Sequence, residues 1–363
     1  MGNSIVEKFI KRFHKSQIQN NNCEIETCNM SKYEWENINK EIEYLYEDAF
    51  DGIEEVYFGI EIEFQLSERT VNGDDIVNLL KKYGISVNTN VIEDRSETRE
   101  YNNWQVMKES TCDWEVISPI LNDTDRCWKE LQEVCNVLKK QLKATVDENC
   151  AIHLHIQREP LLRTGNDYVK LMKLYRYLEP FTYAVSAGEE SEISLTRTKK
   201  YAATLKFADE NLWTKGVKQN EILEEIKNGN LELINYYFFT RLLGLSFSTA
   251  STEFRTVEFR TFNGTLNPIA IQSYVIYVVN MINAAVKNDF IEEYHGQIFG
   301  TGKVGKVLEK EYINKCLSLL AKNENQRDRF VRPLIRNNYT ISQTLHDALN
   351  GKYTKEEENF FFI

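Results

Sequence analysis

Several short segments of this 363-residue chain set ionisable side chains two residues apart. In GIEIEF, residues 59–64, the alternation of an extended strand puts Glu61 and Glu63 on one face and Ile60, Ile62 and Phe64 on the other. In AIHLHIQ, residues 151–157, the same period brings His153 and His155 together, opposite Ile152, Leu154 and Ile156; they are two of the chain's 5 histidines. TVEFRTF, residues 256–262, sets Glu258 and Arg260 against Val257 and Phe259, and WEVISPI, residues 114–120, supplies Glu115 ahead of Ser118 and Pro119. Each segment alone has an ordinary explanation. An alternating Glu-Ile-Glu strand is usually a solvated sheet face, paired strand histidines can face water, and Glu beside Arg can be a surface ion pair. Taken together, strands that each present Glu or His from an apolar framework describe a cup lined with metal ligands. Burying those carboxylates costs free energy unless cations compensate. Carboxylates abound and the cysteine-rich or third-histidine setting of a zinc site is missing, which favours Mg²⁺ or Mn²⁺, ions that bridge nucleotide phosphates.

Positioning these residues requires strands, and from Val56 onward the sequence reads as short alternating runs: VYFGIEIEF, WQVMK, WEVIS, AIHLHIQ, LGLSFS and TVEFRTF. Helical patterns lie between them. Asp125 to Leu142 gathers Trp128, Leu131, Cys135, Leu138 and Leu142 on one face, and Asp167 to Leu178 does so with Val169, Met172 and Tyr175. A helix begins at Asn267 as cap and Pro268 in the first turn. Further helices are expected from about Lys303 to Leu320 and from Ser342 to Asn350, the last closed by Gly351. The expected division is an N-terminal extension over residues 1–50, a catalytic domain over 51–295 and a helical C-terminal extension over 296–363. The class is α+β.

Composition bounds the function. With 42% hydrophobic and 12% aromatic residues the chain can build a large core, and 55 acidic against 44 basic side chains give a net charge of -11. That field repels phosphate backbones, so bulk nucleic-acid binding is not expected. Cys23, Cys28, Cys112, Cys127, Cys135, Cys150 and Cys316 are an odd, scattered set without a CxxC pair, read as reduced thiols in a cytoplasm. Gly2 would permit myristoylation, but Val6 stands where that motif wants Ser or Thr. The apolar stretch Ile269 to Val286 is interrupted by Gln272, Asn280 and Asn283, which favours a core helix over a membrane span.

The order GIEIEF, WQVMKES, WEVISPIL, NCAIHLHIQ and TVEFRTFNGTLNP, over about residues 56–290, resembles the amidoligase family of the glutamine synthetase superfamily. The resemblance implies a curved antiparallel sheet forming half a funnel, backed by helices, with ATP entering one end and the carboxyl and amino substrates the other. It implies an ATP- and Mg²⁺- (or Mn²⁺-) dependent ligase that joins a carboxylate to an amine through an acyl phosphate. Carried over by position, Glu61, Glu63, Glu115, His153 and Glu258 form the metal and phosphate cluster, with Glu63, Glu258 and Arg260 as the catalytic set. His155 and Arg260 face the nucleotide phosphates, and Arg197 and Tyr201 in LTRTKKYA stand on the substrate side. Where the family usually has Asp-Gly-Ser this chain has Glu109, Ser110 and Thr111, and Cys150 and Ala151 precede the first histidine where glycine is common.

The same fold also carries phosphotransferases that stop after phosphoryl transfer, and regulators that have lost catalysis; the intact set of acids and Arg260 weighs against the latter. GTGKVGKV, residues 300–307, imitates a phosphate-binding loop through Gly300, Gly305 and Lys306, but Val307 replaces the metal-binding hydroxyl. It is expected to be a loop leading into the Lys303 helix. The substrates, with a peptide or protein among the candidates, and the oligomeric state are left open by the sequence.

Overall fold

A computed structural model describes residues 40–67, 71–93, 100–186, 201–205, 219–230, 233, 243–249, 255–287, 298–301, 306–337, 339–341 and 343–350. These fall in the compact unit Glu41–Ile363, apart from residue 40. Most of the expected N-terminal extension lies outside the described residues.

The runs read as strands are strands. Tyr57–Phe64 (β1), Gln105–Lys108 (β2), Trp114–Ile117 (β3), Leu121–Asn122 (β4), Ala151–Gln157 (β5), Leu245–Ser246 (β6) and Thr256–Asn263 (β7) form one open sheet in the order β2-β3-β1-β5-β7-β6, with β4 paired to the start of β1. All of these pairings are antiparallel. Alternation divides the strands between two faces. Ile60, Ile62, Phe64, Val116, Ile152, Leu154, Ile156, Val257 and Phe259 are buried in the main core, so this face is the one covered by helices.

The covering helices are Gly165–Ser186 (α3) and Pro268–Lys287 (α5), which pack on each other and reach β7 and β5 respectively. Preceding them are α1 (Gly73–Lys82) and α2 (Asp125–Asn136), and α4 (Gln219–Lys227) lies between α3 and α5 in sequence. The predicted start of α5 holds: Asn267 Oδ1 accepts the Ile269 N–H at 3.0 Å, and Pro268 opens the helix without an orphan donor. Its apolar character meets the length and composition test for a membrane span, yet almost every residue from Ala270 to Ala285 is buried against protein.

Three details differ from the sequence reading. The helix expected from Asp125 to Leu142 stops being α-helical at Asn136 and passes into a π-helical turn, Val137–Gln141, leaving Leu142 only partly buried. The helix expected from Asp167 to Leu178 is longer, Gly165–Ser186, and runs through Pro180. The helix expected from Lys303 instead begins at Lys310 as α6 (Lys310–Leu320). Lys306–Leu308 is a strand, β9, between β8 (Phe299–Thr301) and β10 (Thr340–Ile341) in a second, three-stranded sheet. The alternating Lys-Val-Leu finds partners in Thr301, Gly300 and Phe299, which local helix pattern cannot anticipate.

C-terminal to this lie α7 (Glu324–Arg336) and α8 (Gln343–Leu349). Asn280 Nδ2 on α5 donates to Leu320 O and Gln326 Oε1, each at 2.8 Å, joining α5 to the ends of α6 and α7 inside the core.

Candidate active site

Strand register assembles the predicted cluster. Pairing of β1 with β3 sets Glu63 opposite Glu115, pairing of β1 with β5 sets Glu61 opposite His153, and pairing of β5 with β7 sets His155 opposite Glu258. The chemically active side chains of these central strands therefore share the face turned away from α3 and α5. His153 Nδ1 is 3.1 Å from Glu61 Oε2, and His153 Nε2 is 3.8 Å from Glu63 Oε1. His155 Nε2 is 3.3 Å from Glu61 Oε1 and 4.0 Å from Glu258 Oε1, while an Arg260 guanidinium nitrogen donates to Glu258 Oε1.

Two sets of ligand atoms result, each within 4.8 Å of one another: Glu61, Glu115 and His153, and Glu61, His155 and Glu258. Glu61 belongs to both. Carboxylate oxygens with one imidazole per set suit a hard or borderline divalent cation, so the residues fit the Mg²⁺ or Mn²⁺ that the motifs call for. The surroundings favour the ionised carboxylates of Glu61 and Glu258. Burial alone would raise the Glu61 carboxyl, but His155 and His153 more than reverse it and leave it well below the usual carboxylate range. Burial would likewise raise Glu258, and Arg260 with His155 brings it down. His155 is raised, because Glu61 and Glu258 outweigh the effects of burial and of Arg260.

Arg260 owes its position to an irregularity. Between Leu154↔Phe259 and Ile152↔Phe262 the β5–β7 register shifts by one residue, so Arg260 and Thr261 together oppose His153. The bulge lets Arg260 stay on the site face while Thr261 turns to Tyr175 on α3, with 3.2 Å between hydroxyls. The Arg260 N–H donates to Gly244 O at 2.8 Å, and Gly244 N–H donates to Ala203 O at 2.8 Å. Glycine is required here: a Cβ on Gly244 would lie 2.5 Å from the Tyr175 hydroxyl and 2.9 Å from that of Tyr183.

That chain of bonds also places Tyr201. Its segment, residues 201–205, runs beside Leu243 at the β6 and β7 edge and is tied to α3 twice, by Tyr183 Oη donating to Ala202 O at 2.6 Å and by Leu205 N–H donating to Glu179 Oε1 at 2.6 Å. Tyr201 thus opens a segment held at the β6 and β7 edge of the sheet, and it is not a member of either ligand set. Arg197 lies outside the described residues. Glu109 is only 4% exposed and accepts the Ser110 and Thr111 N–H groups at 2.8 and 3.4 Å, so it shapes the β2–β3 turn. The glycine-rich imitation of a phosphate loop is a strand pair at its described ends, Thr301↔Lys306, and no helix starts directly after it.

Sequence reasoning missed the supports of His155. Its Nδ1 lies 3.4 Å from Thr256 Oγ1, which donates to Thr249 Oγ1 at 3.0 Å. The signal was the threonines flanking the LGLSFS and TVEFRTF strands. Also missed was a small apolar cluster, Ile92, Met107 and Ile117, on the site face next to the acids.

The model of the family described as "Putative amidoligase enzyme" matches residues 54–282, well over half of the chain and the whole span of the central strands. The chain belongs to the amidoligase family. No curated protein gives a significant match to it. Among solved structures it is similar to a chain in the crystal structure of the complex between Prokaryotic Ubiquitin-like Protein Pup and its ligase PafA, at 10% identity and a TM-score of 0.31. That likeness covers 82% of this chain and 64% of the other, so this amidoligase chain spans less than two thirds of that one's length. The matched span includes every residue of the two ligand sets.

Proposed function

We propose that this protein is an ATP-dependent carboxylate–amine ligase that activates its acid substrate as an acyl phosphate and uses two divalent cations, Mg²⁺ or Mn²⁺. One observation carries the reading: two three-residue ligand sets share Glu61 at the middle of one sheet face, with the Arg260 guanidinium beside them on Glu258. A cation held by each set would supply positive charge to a transferring phosphoryl group. Glu61, Glu115 and His153 would hold one ion, with Glu63 alongside, and Glu61, His155 and Glu258 the other. When bound, the ions neutralise triphosphate charge and polarise the γ-phosphorus.

The residues do the rest. A carboxylate oxygen of the acid substrate attacks the γ-phosphorus, ADP departs, and Arg260, always charged and held by Glu258, faces the oxygens where charge gathers. The amine then attacks the acyl carbonyl and phosphate leaves, giving the amide. Tyr201 and Arg197 are assigned to substrate and nucleotide contact on the family resemblance. The acid and amine are sought among amino acids, peptides and proteins, without nucleic acid or membrane, in a cytoplasmic setting.

The test is ATP turnover with Mg²⁺ or Mn²⁺ against amino acids and short peptides, with hydroxylamine present to trap acyl phosphates. A hydroxamate that forms with the native protein and disappears in Arg260→Ala is the expected result. A stable phosphorylated product with no hydroxamate would replace the ligase by a phosphotransferase.

A further inference from the structure

Helix α7 places Arg329, Arg332 and Arg336 three and then four residues apart, a spacing that gathers them on one face. Arg329 meets the start of α5: its Nη1 donates to Ile269 O at 3.4 Å and to Ser273 Oγ at 3.0 Å. Its Nε donates to Asn325 Oδ1 at 2.7 Å and its Nη2 to Glu43 O. All of these acceptors are neutral, and no carboxylate of a described residue forms an ion pair with Arg329, which is 2% exposed. A buried guanidinium held by dipoles alone lacks a counter-ion. Burial brings it down to about 10, and the nearby charge of Arg332 adds to the fall, against the influence of Tyr44 and Glu43.

The three arginines border a cavity of about 20 Å³, which Ala270, Ser273 and Tyr274 of α5 also line. No acidic side chain stands among its described lining residues; neither Glu43 nor Asp328, the buried acid of α7, borders it. The first turn of α5 is also without an acid, and the amino end of this 20-residue helix adds positive potential. In a chain of net charge -11 this is a local basic enclosure. Its size selects the ligand. One water needs about 10–15 Å³, so the space admits a single atom-sized guest and shuts out nucleotides and organic acids.

We propose that this cavity binds one chloride ion, whose charge compensates the guanidinium groups around it and fastens α7, and the segment at Glu43, to the start of α5. A monatomic anion fits both the sign of the lining and the volume, and it needs no directional partner beyond the N–H groups that surround it. Tyr274, which lines the cavity, is also the residue stacked on Phe262 of β7, so one side chain separates the ion from the end of a site strand. The inference stands apart from the ligase reading, since none of the arginines belongs to either ligand set.

The experiment dialyses the full-length protein into sodium gluconate and follows its unfolding in urea as chloride replaces gluconate at constant ionic strength. An ion bound by the folded chain alone lowers the unfolding constant by the factor 1 + [chloride]/Kd, so the expected result is about a tenfold fall for each tenfold rise of chloride above Kd. Crystals of the native protein soaked in sodium bromide should show an anomalous peak inside the cavity, on the guanidinium groups. Arg332→Gln should flatten the chloride dependence; where that variant fails to fold, Arg336→Gln, at a half-buried position, reads the same effect. An unfolding constant indifferent to chloride at fixed ionic strength would overturn the proposal. So would a cavity that holds only water at saturating bromide, or a chloride dependence that survives intact in both variants.

Discussion

Glu61 and Glu179 are the same residue type in opposite situations. Glu61, on the site face of β1, would be raised by burial, but His155 and His153 hold it well below the ordinary range. Glu179, inside α3 on the helix side, has burial as its dominant influence and is raised to about 8, against which the Leu205 N–H and Arg176 do little. One side of the sheet therefore keeps its carboxylates charged by surrounding them with imidazole and guanidinium, and the other keeps its carboxyl neutral. Charge on the site face is thus a built property: it is maintained at the expense of desolvation, by residues on neighbouring strands, in a form ready for cations.

This contrast is tested most severely at Glu61, the residue shared by both ligand sets. Glu61→Gln keeps size and shape and removes the charge, so the fold should survive while ligase turnover falls by about a thousandfold, the scale on which electrostatic stabilisers of phosphoryl transfer act. Steady-state kinetics with a circular-dichroism check decide it; near-native turnover would remove Glu61 from the site. Its neighbour Ile62 points to the other face and is fully buried. Ile62→Ala should cost about 2–5 kcal/mol of stability in chemical denaturation and leave Mn²⁺ affinity of the folded protein unchanged. A changed affinity with little loss of stability would show that the two faces are not separable one residue apart.

That separation was legible in the sequence because strand alternation has a period of two, and β1, β3, β5 and β7 obey it across the residues that matter. Strict alternation fails within β7. It would put Phe262 on the face of Glu258 and Arg260, whereas the bulge at Arg260 and Thr261 returns Phe262 to the core, stacked on Tyr274 with ring centroids 4.4 Å apart. The strand pair around Thr301 and Lys306 was also invisible, because it depends on which distant segment becomes the neighbour. The Gly244 bond to Arg260 is of the same kind, since nothing local to LGLSFS says that two tyrosine hydroxyls will arrive above that glycine. Periodicity reads faces, and register between distant segments is left to tertiary packing.

A milder perturbation probes the neutral side. Because Glu179 binds its proton more tightly folded than unfolded, its contribution to stability is complete below the unfolded value of 4.5 and is lost as pH rises through about 8. At roughly 1.4 kcal/mol for each pH unit between the unfolded and folded values, the loss on passing from acid to pH 9 amounts to a few kcal/mol. Glu179→Gln cannot ionise and keeps an oxygen for the Leu205 N–H, so the difference between the variant and the native protein should favour the variant increasingly from pH 6 to pH 9. Denaturant titrations across that range give the slope directly. A constant difference would mean that Glu179 is already ionised in the fold, and that the helix side, like the site face, supplies its own counter-charge. The rising slope would report the cost of burying that charge inside α3, since the Leu205 N–H itself favours the ionised carboxyl. Glu61 and Glu258, already charged, add nothing to that slope over the same interval.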